Sequence, residues 1–565
     1  MLQTWGLVTR SHALHLDEEN AAMSRSHQSR GMICSLFSGR AHWASAGHPR
    51  YPLVGLAAMC VVGLVAALVV AGEKAPRTGG TLKIAWVGEP PTLDIHKSTT
   101  TSTRRLAWHM FERLFTFDEQ YNLIPELAEG YEVSSDGKTY TVRLRKGVLF
   151  HNGNELTAED VIASLKRWMD NDPIPKNYLI PDLEALEATG PHAFEIRLKQ
   201  PNGATIDFLA SIAQGPVIYP KEVIEEAGKD QIKRFIGTGP YQFVEYLPDR
   251  HIRLKRFDRY SARSEAANGY GGKRAAYLDE LIFYPVADVA VRAAGVEAGD
   301  FDVAIEVSTD DYDRFANHPL VDPVIAGPAA YVVFVPNKKS PTMGNVKIRQ
   351  ALLAAIDVEP LMKVAFGDQR FYRLDCSILM KETAWWSQAG CELYNQKNVQ
   401  KAKQLLQEAG YDGTPIRWIT TQVYQQMYKT SVAVKSQLEA AGFKIDLQVL
   451  DWATLSKKRY EADFYDVFVT YFTYRPSPVL FYTVLAKTWA GFWDNPKKDE
   501  LIVQTLRATD QKRQFELWSQ LQRLIYEDVP FVRTGDFFDL HLKRKEVKNL
   551  TNKPEVFFWN VWIEP

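Results

Sequence analysis

Cysteine and histidine are scarce in this chain. Four cysteines and 12 histidines occur in 565 residues, and beyond residue 71 no two histidines lie three or four positions apart. No C-x-x-C spacing is present either. A zinc knuckle, a thioredoxin-like redox site and a metal site built on one helix are therefore unsupported, and we expect no metal and no cofactor.

An excess of either charge is also missing. The 67 lysines and arginines nearly balance the 68 aspartates and glutamates, which leaves a formal net charge of −1. A nucleic-acid-binding protein usually shows a basic excess. We therefore expect no nucleic-acid partner.

Recognisable catalytic motifs are absent as well. The sequence contains no G-x-S-x-G, H-E-x-x-H or Walker A pattern, and its paired acids lie in turn-like or helix-like contexts. Aromatic residues reach 12%, a surplus that often lines ligand clefts although large cores also absorb it. The chain is predicted not to be an enzyme, and binding is weakly favoured.

Long apolar runs are limited to residues 53–71, which are 19 residues without a charge. Such a run nearly spans a bilayer. It is either the h-region of a signal peptide cleaved near Ala71 or a retained membrane anchor, preceded by an N-terminal extension (1–52) and followed by a linker (72–79). Both interpretations place the rest of the chain outside the cytoplasmic membrane.

Cys376 and Cys391 are the two cysteines that follow this segment. In an oxidising compartment they can form a disulfide, worth roughly 3 kcal/mol for a loop of this size in the chain-entropy model. The alternative is two free buried thiols. The intervening segment is loop-like, which favours the disulfide.

Strand and helix patterns alternate beyond the linker. Residues 80–86 and 138–146 read as strands, and Thr157 is placed to cap a helix. Near the C-terminus, a helix capped by Asn398 is followed by a strand at 416–421, a helix ending at Gly442 and a strand to Val449. This order is typical of an open α/β sheet.

Several sequence blocks give more specific information about fold and function. Residues 128–150 (AEGYEVSSDGKTYTVRLRKGVLF), 237–241 (GTGPY), 346–352 (VKIRQAL) and 401–411 occur in a fixed order. Together they resemble the family 5 extracellular solute-binding proteins, the periplasmic dipeptide-, oligopeptide- and nickel-binding components of ABC importers. The resemblance extends from about residue 79 to the C-terminus.

The resemblance implies a two-lobed α/β periplasmic binding protein fold (type II, cluster C-like), with a hinge and an extra subdomain in the N-terminal lobe. It places the N-terminal lobe at 80–325, the C-terminal lobe at 326–505 and a segment returning to the N-terminal lobe at 506–565. It also implies a periplasmic monomer, tethered to the inner membrane if residues 53–71 are retained, that captures a small solute between the lobes. The remaining partner would be the permease subunits of an ABC transporter.

The identity of the solute is left open. Peptide binders of this family hold the amino terminus with an aspartate after a strand whose counterpart here is 466–471, and residues 472–478 contain no acid. An anionic, opine-like or sugar-like solute is therefore considered beside a peptide-like one, with Arg475 as a possible carboxylate partner. The candidate ligand-binding residues are Arg475, Tyr471, Phe472, Tyr474, Trp385, Trp386, Gly239, Tyr241 and Thr99.

Other functions are kept as alternatives. A metal-chelate or nickel binder belongs to the same family. From other classes, a membrane-tethered sensory or assembly factor would favour a retained segment 53–71, whereas an exported hydrolase would need a nucleophile and base that the sequence does not show.

Overall fold

The computed structural model describes residues 76–98, 100–212 and 215–564. The predicted N-terminal extension (1–52), the apolar segment (53–71) and the first residues of the linker lie outside the described residues. Within the part that is described, no helix combines the length and apolar character needed to cross a membrane.

Strands of very different lengths make up the sheets. They are β1 (Thr81–Trp86), β2 (Phe115–Phe117), β3 (Leu123–Pro125), β4 (Ala128–Val133), β5 (Thr139–Leu144), β6 (Leu183–Gly190), β7 (Ala193–Leu198), β8 (Tyr241–Leu247), β9 (His251–Arg256), β10 (Glu280–Pro285), β11 (Val303–Val307), β12 (Val321–Pro336), β13 (Tyr372–Arg373), β14 (Ile416–Thr420), β15 (Ile445–Val449), β16 (Val467–Thr473), β17 (Val532–Arg544), β18 (Val547–Lys548) and β19 (Trp562–Ile563).

The helices lie between these strands. They are α1 (Thr101–Met110), α2 (Ala158–Asn171), α3 (Pro173–Tyr178), α4 (Thr205–Leu209), α5 (Lys221–Ala227), α6 (Val289–Ala298), α7 (Tyr312–Phe315), α8 (Val346–Ala355), α9 (Val358–Phe366), α10 (Val399–Glu408), α11 (Gln425–Ala440), α12 (Trp452–Lys458), α13 (Tyr482–Leu485), α14 (Pro496–Arg507) and α15 (Gln511–Asp528). Short 3-10 turns occur at Ile95–Lys97, Ile180–Asp182, Thr309–Asp311, Gln369–Phe371, Cys391–Leu393 and Pro478–Phe481.

The two longest strands, β12 and β17, form the centre of the main sheet. The strand order is β15-β14-β16-β12-β17-β11-β1-β10-β9-β8, and β13 also pairs with β17. One end of the β12–β17 pair borders β11, and the other end borders β16. The register between β12 and β17 shifts between Ala326 and Ala330. We call these two strands the spine, because they run through both lobes.

The N-terminal lobe contains β1 and β8 to β11. The predicted first strand is confirmed as β1, which pairs in parallel with β10 on one side and β11 on the other. A smaller antiparallel sheet, β4-β5-β7-β6, carries α2 on one face. The predicted N-cap of α2 is confirmed, since the Asp160 carboxylate accepts a hydrogen bond from Thr157 N at 2.9 Å.

The C-terminal lobe contains β14 to β16, with β14 parallel to both of its neighbours. The predicted helix–strand–helix–strand segment is confirmed as α10, β14, α11 and β15. Asn398 caps α10 by accepting a hydrogen bond from Lys401 N at 2.9 Å, and Gly410 follows the helix with φ +68°.

Helices α14 and α15 pack against each other, and α15 contacts α8 of the C-terminal lobe. The chain then runs along β17 to the edge of β11. The second spine strand therefore carries the chain from the strands around β16 to the edge of β11.

Candidate functional site

Strand β16 separates the predicted aromatic residues onto two faces, because successive side chains of a strand point to opposite sides. Phe472 is buried and makes edge-to-face contacts with Tyr331, Phe481 and Phe531. Tyr471 lies on the other face, where its ring contacts Tyr424 with 5.5 Å between centroids. Phe472 is thus part of the apolar core of the C-terminal lobe, whereas Tyr471 belongs to the face that carries the polar cluster described below.

Arg475 follows the end of β16 and lacks an acidic partner. Its Nη1 donates to Thr473 Oγ1 at 2.5 Å and to the Tyr474 carbonyl oxygen at 2.9 Å, and no carboxylate of the described residues forms an ion pair with it. Burial, together with the positive charge of Arg104, lowers the pKa of Arg475 to about 10. The guanidinium is therefore still charged at neutral pH and is held only by neutral acceptors.

A buried ion-pair cluster lies near Arg475. Arg104 and Arg105 of α1 both bind the carboxylate of Glu555, with 3.0 Å between Arg105 Nε and Glu555 Oε2. Arg105 also pairs with Glu306 of β11. The pairs join α1, β11 and the C-terminal segment. The side chains of both arginines and of Glu555 are at most 6% exposed, so the pairs with Glu555 lie in a region of low dielectric constant, whereas the Glu306 side chain is 31% exposed.

Asp539 of β17 is the acid of this region that remains without a partner. Among the described residues, no hydrogen bond or ion pair is made by its carboxylate. Burial and the neighbouring carboxylate of Glu306 raise the pKa of Asp539 to about 8, against the opposing effect of Arg105. At neutral pH this carboxyl group is mostly protonated.

Glu306 is held in an uncommon conformation between these groups. Its φ of 51° lies in the left-handed region, which non-glycine residues seldom adopt. Its backbone N–H donates to Nδ1 of His541 at 3.1 Å. Burial lowers the pKa of His541 to about 4, so this imidazole is neutral and adds no charge to the cluster.

Tyr474 contacts the N-terminal lobe. Its ring lies 4.5 Å from that of Tyr121, centroid to centroid, and its hydroxyl is buried. Tyr474 is thus a buried aromatic contact between the lobes, close to Arg475 in sequence and in space.

Gly239 and Tyr241 do not lie with the polar cluster. A Cβ atom at Gly239 would be 2.6 Å from the carbonyl oxygen of His109, at the end of α1. Tyr241 is fully buried and contacts His109. The GTGPY segment therefore serves close packing inside the N-terminal lobe, because only a residue without a side chain fits against the end of α1. The expectation that Gly239 and Tyr241 also line the ligand site stays a prediction.

Trp385 and Trp386 lie on the loop closed by a disulfide. Cys376 and Cys391 are bonded, with 5.4 Å between their Cα atoms. The indole N–H of Trp386 donates to Asp375 at 3.0 Å, and the carbonyl oxygen of Trp385 accepts from the indole of Trp518 at 3.0 Å. Both tryptophans are bound to the C-terminal lobe by these contacts, and neither contacts Arg475 directly. Thr99 lies outside the described residues.

The sequence nominates Arg475 and Tyr471 as candidates but gives no indication of the charged groups near them. Arg104, Arg105, Glu306, Asp539 and Glu555 come from three distant parts of the chain, so no local motif connects them. The adjacent arginines after the threonine-rich segment 99–103 were the one available signal. Among the described residues, no group of three or more His, Cys, Asp or Glu side chains is arranged to hold a metal ion.

Comparison with known proteins identifies the family. Residues 122–492 match the model of the bacterial extracellular solute-binding proteins, family 5. The protein is a family 5 solute-binding protein. Members of this family bind solutes for transport and are not enzymes, which confirms the predicted function class.

Relatives of this solute-binding protein cover most of its length. It is 26% identical over 477 residues to a probable peptide ABC transporter periplasmic-binding protein of Sinorhizobium fredii, covering 80% of this chain and 88% of the relative. It is 27% identical over 463 residues to the glutathione-binding protein of Salmonella choleraesuis, covering 78% and 86%. A substrate-binding function in ABC import is therefore shared by the family.

The solved structure of the periplasmic binding protein AgaA from A. tumefacien R10, in complex with agropinic acid, has the same fold. The TM-score is 0.72 at 25% identity, with 86% of this chain and 99% of AgaA covered. The predicted two-lobed α/β fold of the solute-binding protein is confirmed.

Proposed function

We propose that the protein captures a carboxylate-bearing solute between its lobes, with Arg475 as the residue that binds the carboxylate. The observation that supports this most is the state of Arg475, a half-buried cation whose partners are a hydroxyl and a carbonyl oxygen. A buried charge without a counter-ion is unfavourable in the empty site. A ligand carboxylate would supply the missing charge and accept two parallel hydrogen bonds from the planar guanidinium.

The position of Arg475 fits this role. Charges outside its own lobe act on it, since its pKa responds to Arg104 and Glu555 on one side and to Asp172 at the end of α2 on another. Asp172 accepts hydrogen bonds from Ile174 N at 2.8 Å and from the indole of Trp168 at 3.1 Å. Its carboxylate is therefore already occupied and does not substitute for a ligand.

Tyr471 and Tyr474 would flank the solute on either side of Arg475, and Trp385 and Trp386 would border the site from the disulfide-closed loop.

In this proposal the lobes close over the solute about the spine strands. The lobes are residues 80–325 and 326–505, with the C-terminal segment from residue 506. Binding favours closure only if the closed form holds the ligand more tightly than the open one. The loaded protein would then deliver the solute to an ABC permease in the inner membrane.

Export is part of the same proposal. The uncharged segment 53–71 would direct the chain across the cytoplasmic membrane, either as a cleaved signal peptide or as a tether. In both cases the lobes would act in the periplasm, where an oxidising environment is compatible with the Cys376–Cys391 disulfide.

Calorimetric titration of Arg475→Ala tests the capture of a carboxylate. The solutes are agropinic acid, glutathione and short peptides, each compared with its carboxyl-amidated form where one exists. We expect the wild type to bind at least one free acid, and the variant to lose more than tenfold in affinity for it, because a buried charge-assisted bidentate contact is removed.

Arg475→Lys serves as the graded variant, since lysine keeps the charge but not the planar fork, and should retain an intermediate affinity. Arg513→Ala, an exposed change on α15, is the matched control. Equal affinity of wild type and Arg475→Ala for every solute that binds would contradict the proposal.

A further inference from the structure

Helix α14 contacts the residues that flank β6 and β7 of the small sheet. Arg507, the last residue of α14, donates two parallel hydrogen bonds to the Asp182 carboxylate, at 2.6 and 2.8 Å, and one to the Pro201 carbonyl oxygen at 3.1 Å. Gly203 N donates to the Leu506 carbonyl oxygen at 2.8 Å. We call this contact, of Asp182, Pro201 and Gly203 with residues 506–508, the clasp.

Helix α14 is fixed to the C-terminal lobe. Its N-cap residue, Asn495, donates from the side-chain amide to the Asp528 carboxylate at 2.9 Å. Asp528 is the last residue of α15 and also pairs with Arg349 of α8, and α14 packs against α15. A movement of the C-terminal lobe therefore carries α14 with it.

The small sheet is fixed to the rest of the N-terminal lobe. Arg167 of α2, the helix that covers the small sheet, forms two parallel bonds with Asp94, at 3.0 and 2.6 Å. Asp94 follows β1, and both side chains are at most 4% exposed. The clasp thus joins two bodies that are each tied to a different lobe, and it connects the lobes in addition to the spine.

Gly203 allows the two backbones to approach closely in the clasp. A Cβ atom at this position would lie 2.0 Å from the Ala508 carbonyl oxygen and 2.8 Å from Gln514 Nε2, both on the C-terminal side of the contact. The backbone of Gly203 lies outside the left-handed region, so an alanine there is not strained by its own conformation. A side chain at this position is therefore in conflict with the clasp and not with the fold of the small sheet.

A second contact links the clasp region to the segment that carries Arg475. The ring of Tyr178, at the end of α3, lies 5.7 Å from that of Tyr482, centroid to centroid, and its hydroxyl donates to the Tyr482 carbonyl oxygen at 3.4 Å. Helix α4 packs against the 3-10 turn Pro478–Phe481. The segment after β16 therefore begins at Arg475 and then runs along the helices beside the small sheet.

We propose that the small sheet holds the two lobes in their closed arrangement through the clasp, so that the strength of the clasp sets the solute affinity without touching the solute. Contacts made only in the closed form raise its population before any solute binds, and the apparent affinity follows the fraction of protein that is competent to bind. This inference rests on the lobe closure of the proposed function, but not on Arg475 or on the identity of the solute.

The test places a wedge in the clasp with Gly203→Ala. Gly190→Ala is the matched control, since Gly190 ends β6 of the same sheet and a Cβ atom there meets no atom within 4 Å. Arg507→Ala and the double variant complete the set. Small-angle X-ray scattering of the dialysed, solute-free proteins measures the separation of the lobes, and hydrogen exchange at the amide of residue 203 measures opening of the clasp.

We expect Gly203→Ala to increase the radius of gyration by about 1 Å, because the lobes separate about the spine. Exchange at residue 203 should become at least tenfold faster, since its hydrogen bond to Leu506 is broken more often. Arg507→Ala should change both in the same direction. The double variant should be no more open than Gly203→Ala, because the two changes act on one contact. Gly190→Ala should match the wild type.

Solute affinity gives a second measurement. Agropinic acid, glutathione and short peptides are titrated into the same variants, and every solute that binds the wild type should bind Gly203→Ala at least threefold more weakly. An unchanged affinity in a variant that scatters as a more open protein would overturn the link between clasp and binding.

The clasp itself is refuted by a Gly203→Ala protein with the radius of gyration of the wild type, whether or not its amide exchanges faster, since faster exchange alone means local fraying. Loss of cooperative thermal unfolding in Gly203→Ala would also refute it, because the contact would then be part of the permanent core. Arg475→Ala should leave scattering and exchange of the solute-free protein unchanged. A failure of Arg475→Ala to lower affinity would therefore contradict the proposed carboxylate contact and leave the clasp standing.

Discussion

Asp539 shows how a single half-buried carboxyl group acquires an unusual ionisation. Burial disfavours the charged form, and the adjacent Glu306 carboxylate disfavours it further. An aspartate in the unfolded chain has a pKa of about 3.9. The folded protein therefore binds this proton more tightly than the unfolded chain does.

The consequence for stability has a defined sign. Between about pH 4 and pH 8 the unfolded chain has lost the proton and the folded protein retains it, so the free energy of unfolding falls as the pH rises. We expect Asp539→Asn to lack this contribution and to be more stable than the wild type at pH 8.5 by at least about 1 kcal/mol, but not at pH 4.

Urea denaturation at the two pH values measures this difference, with Asp322→Asn as the exposed control. An Asp539→Asn variant whose stability follows that of the wild type at both pH values would show that the carboxyl group titrates normally in the folded protein.

Arg475 illustrates what one residue can reveal in sequence. Its place after a strand, in a segment without acids, was sufficient to nominate it for carboxylate binding. The electrostatic environment of its guanidinium group depends on Arg104, Glu555 and Asp172, which are far away in the chain. The function of a charged residue can therefore be inferred only when the groups around it are known.

Among the elements, the sequence predicts the side-chain directions of β16 but not the role of the GTGPY segment. The alternation of β16 placed Phe472 in the core and Tyr471 toward the polar cluster, a division that follows from strand geometry alone. The glycines of GTGPY were open to either a ligand or a packing role. Their proximity to the end of α1 supports the packing role, since the carbonyl oxygen of His109 occupies the space that a side chain at Gly239 would need.

We expect Gly239→Ala to destabilise the protein by about 1–3 kcal/mol, because the methyl group has no space and α1 must shift. Affinity of the folded protein for its solute should be unchanged. Gly88→Ala is the control, since a Cβ there meets no atom within 4 Å. Thermal unfolding and calorimetric titration of both variants separate stability from binding, and a Gly239→Ala protein that unfolds like the wild type but binds more weakly would return this glycine to the ligand site.

For the whole molecule, contacts outside the charged cluster join the small sheet of the N-terminal lobe to α14. Arg507 at the end of α14 forms two parallel bonds with Asp182, at 2.6 and 2.8 Å. Gly203 N donates to the Leu506 carbonyl oxygen at 2.8 Å beside this pair. Residues more than 300 positions apart are thereby fixed to each other, and the small sheet is held to the rest of the protein.

We expect Arg507→Ala to reduce the free energy of unfolding by about 2 kcal/mol, because it leaves the buried Asp182 carboxylate with the Asn202 amide and without its cationic partner. Arg513→Ala, which removes an exposed pair with Glu516, should change it by less than about 0.5 kcal/mol. Differential scanning calorimetry should also show a broader transition for Arg507→Ala, as the small sheet loses an attachment. Identical effects of the two substitutions would mean that this contact does not stabilise the fold.

The amino-acid order was sufficient for the family, the two-lobed fold, the helix–strand–helix–strand segment at 399–449 and the disulfide. These depend on local periodicity, on caps such as Asn398 and on ordered blocks of sequence, all of which are read within short stretches. The arrangement of charge around Arg475 was not accessible in this way. Burial and the meeting of α1, β11, the spine and the C-terminal segment decide which carboxylates are paired, and Coulomb interactions act through space rather than along the chain.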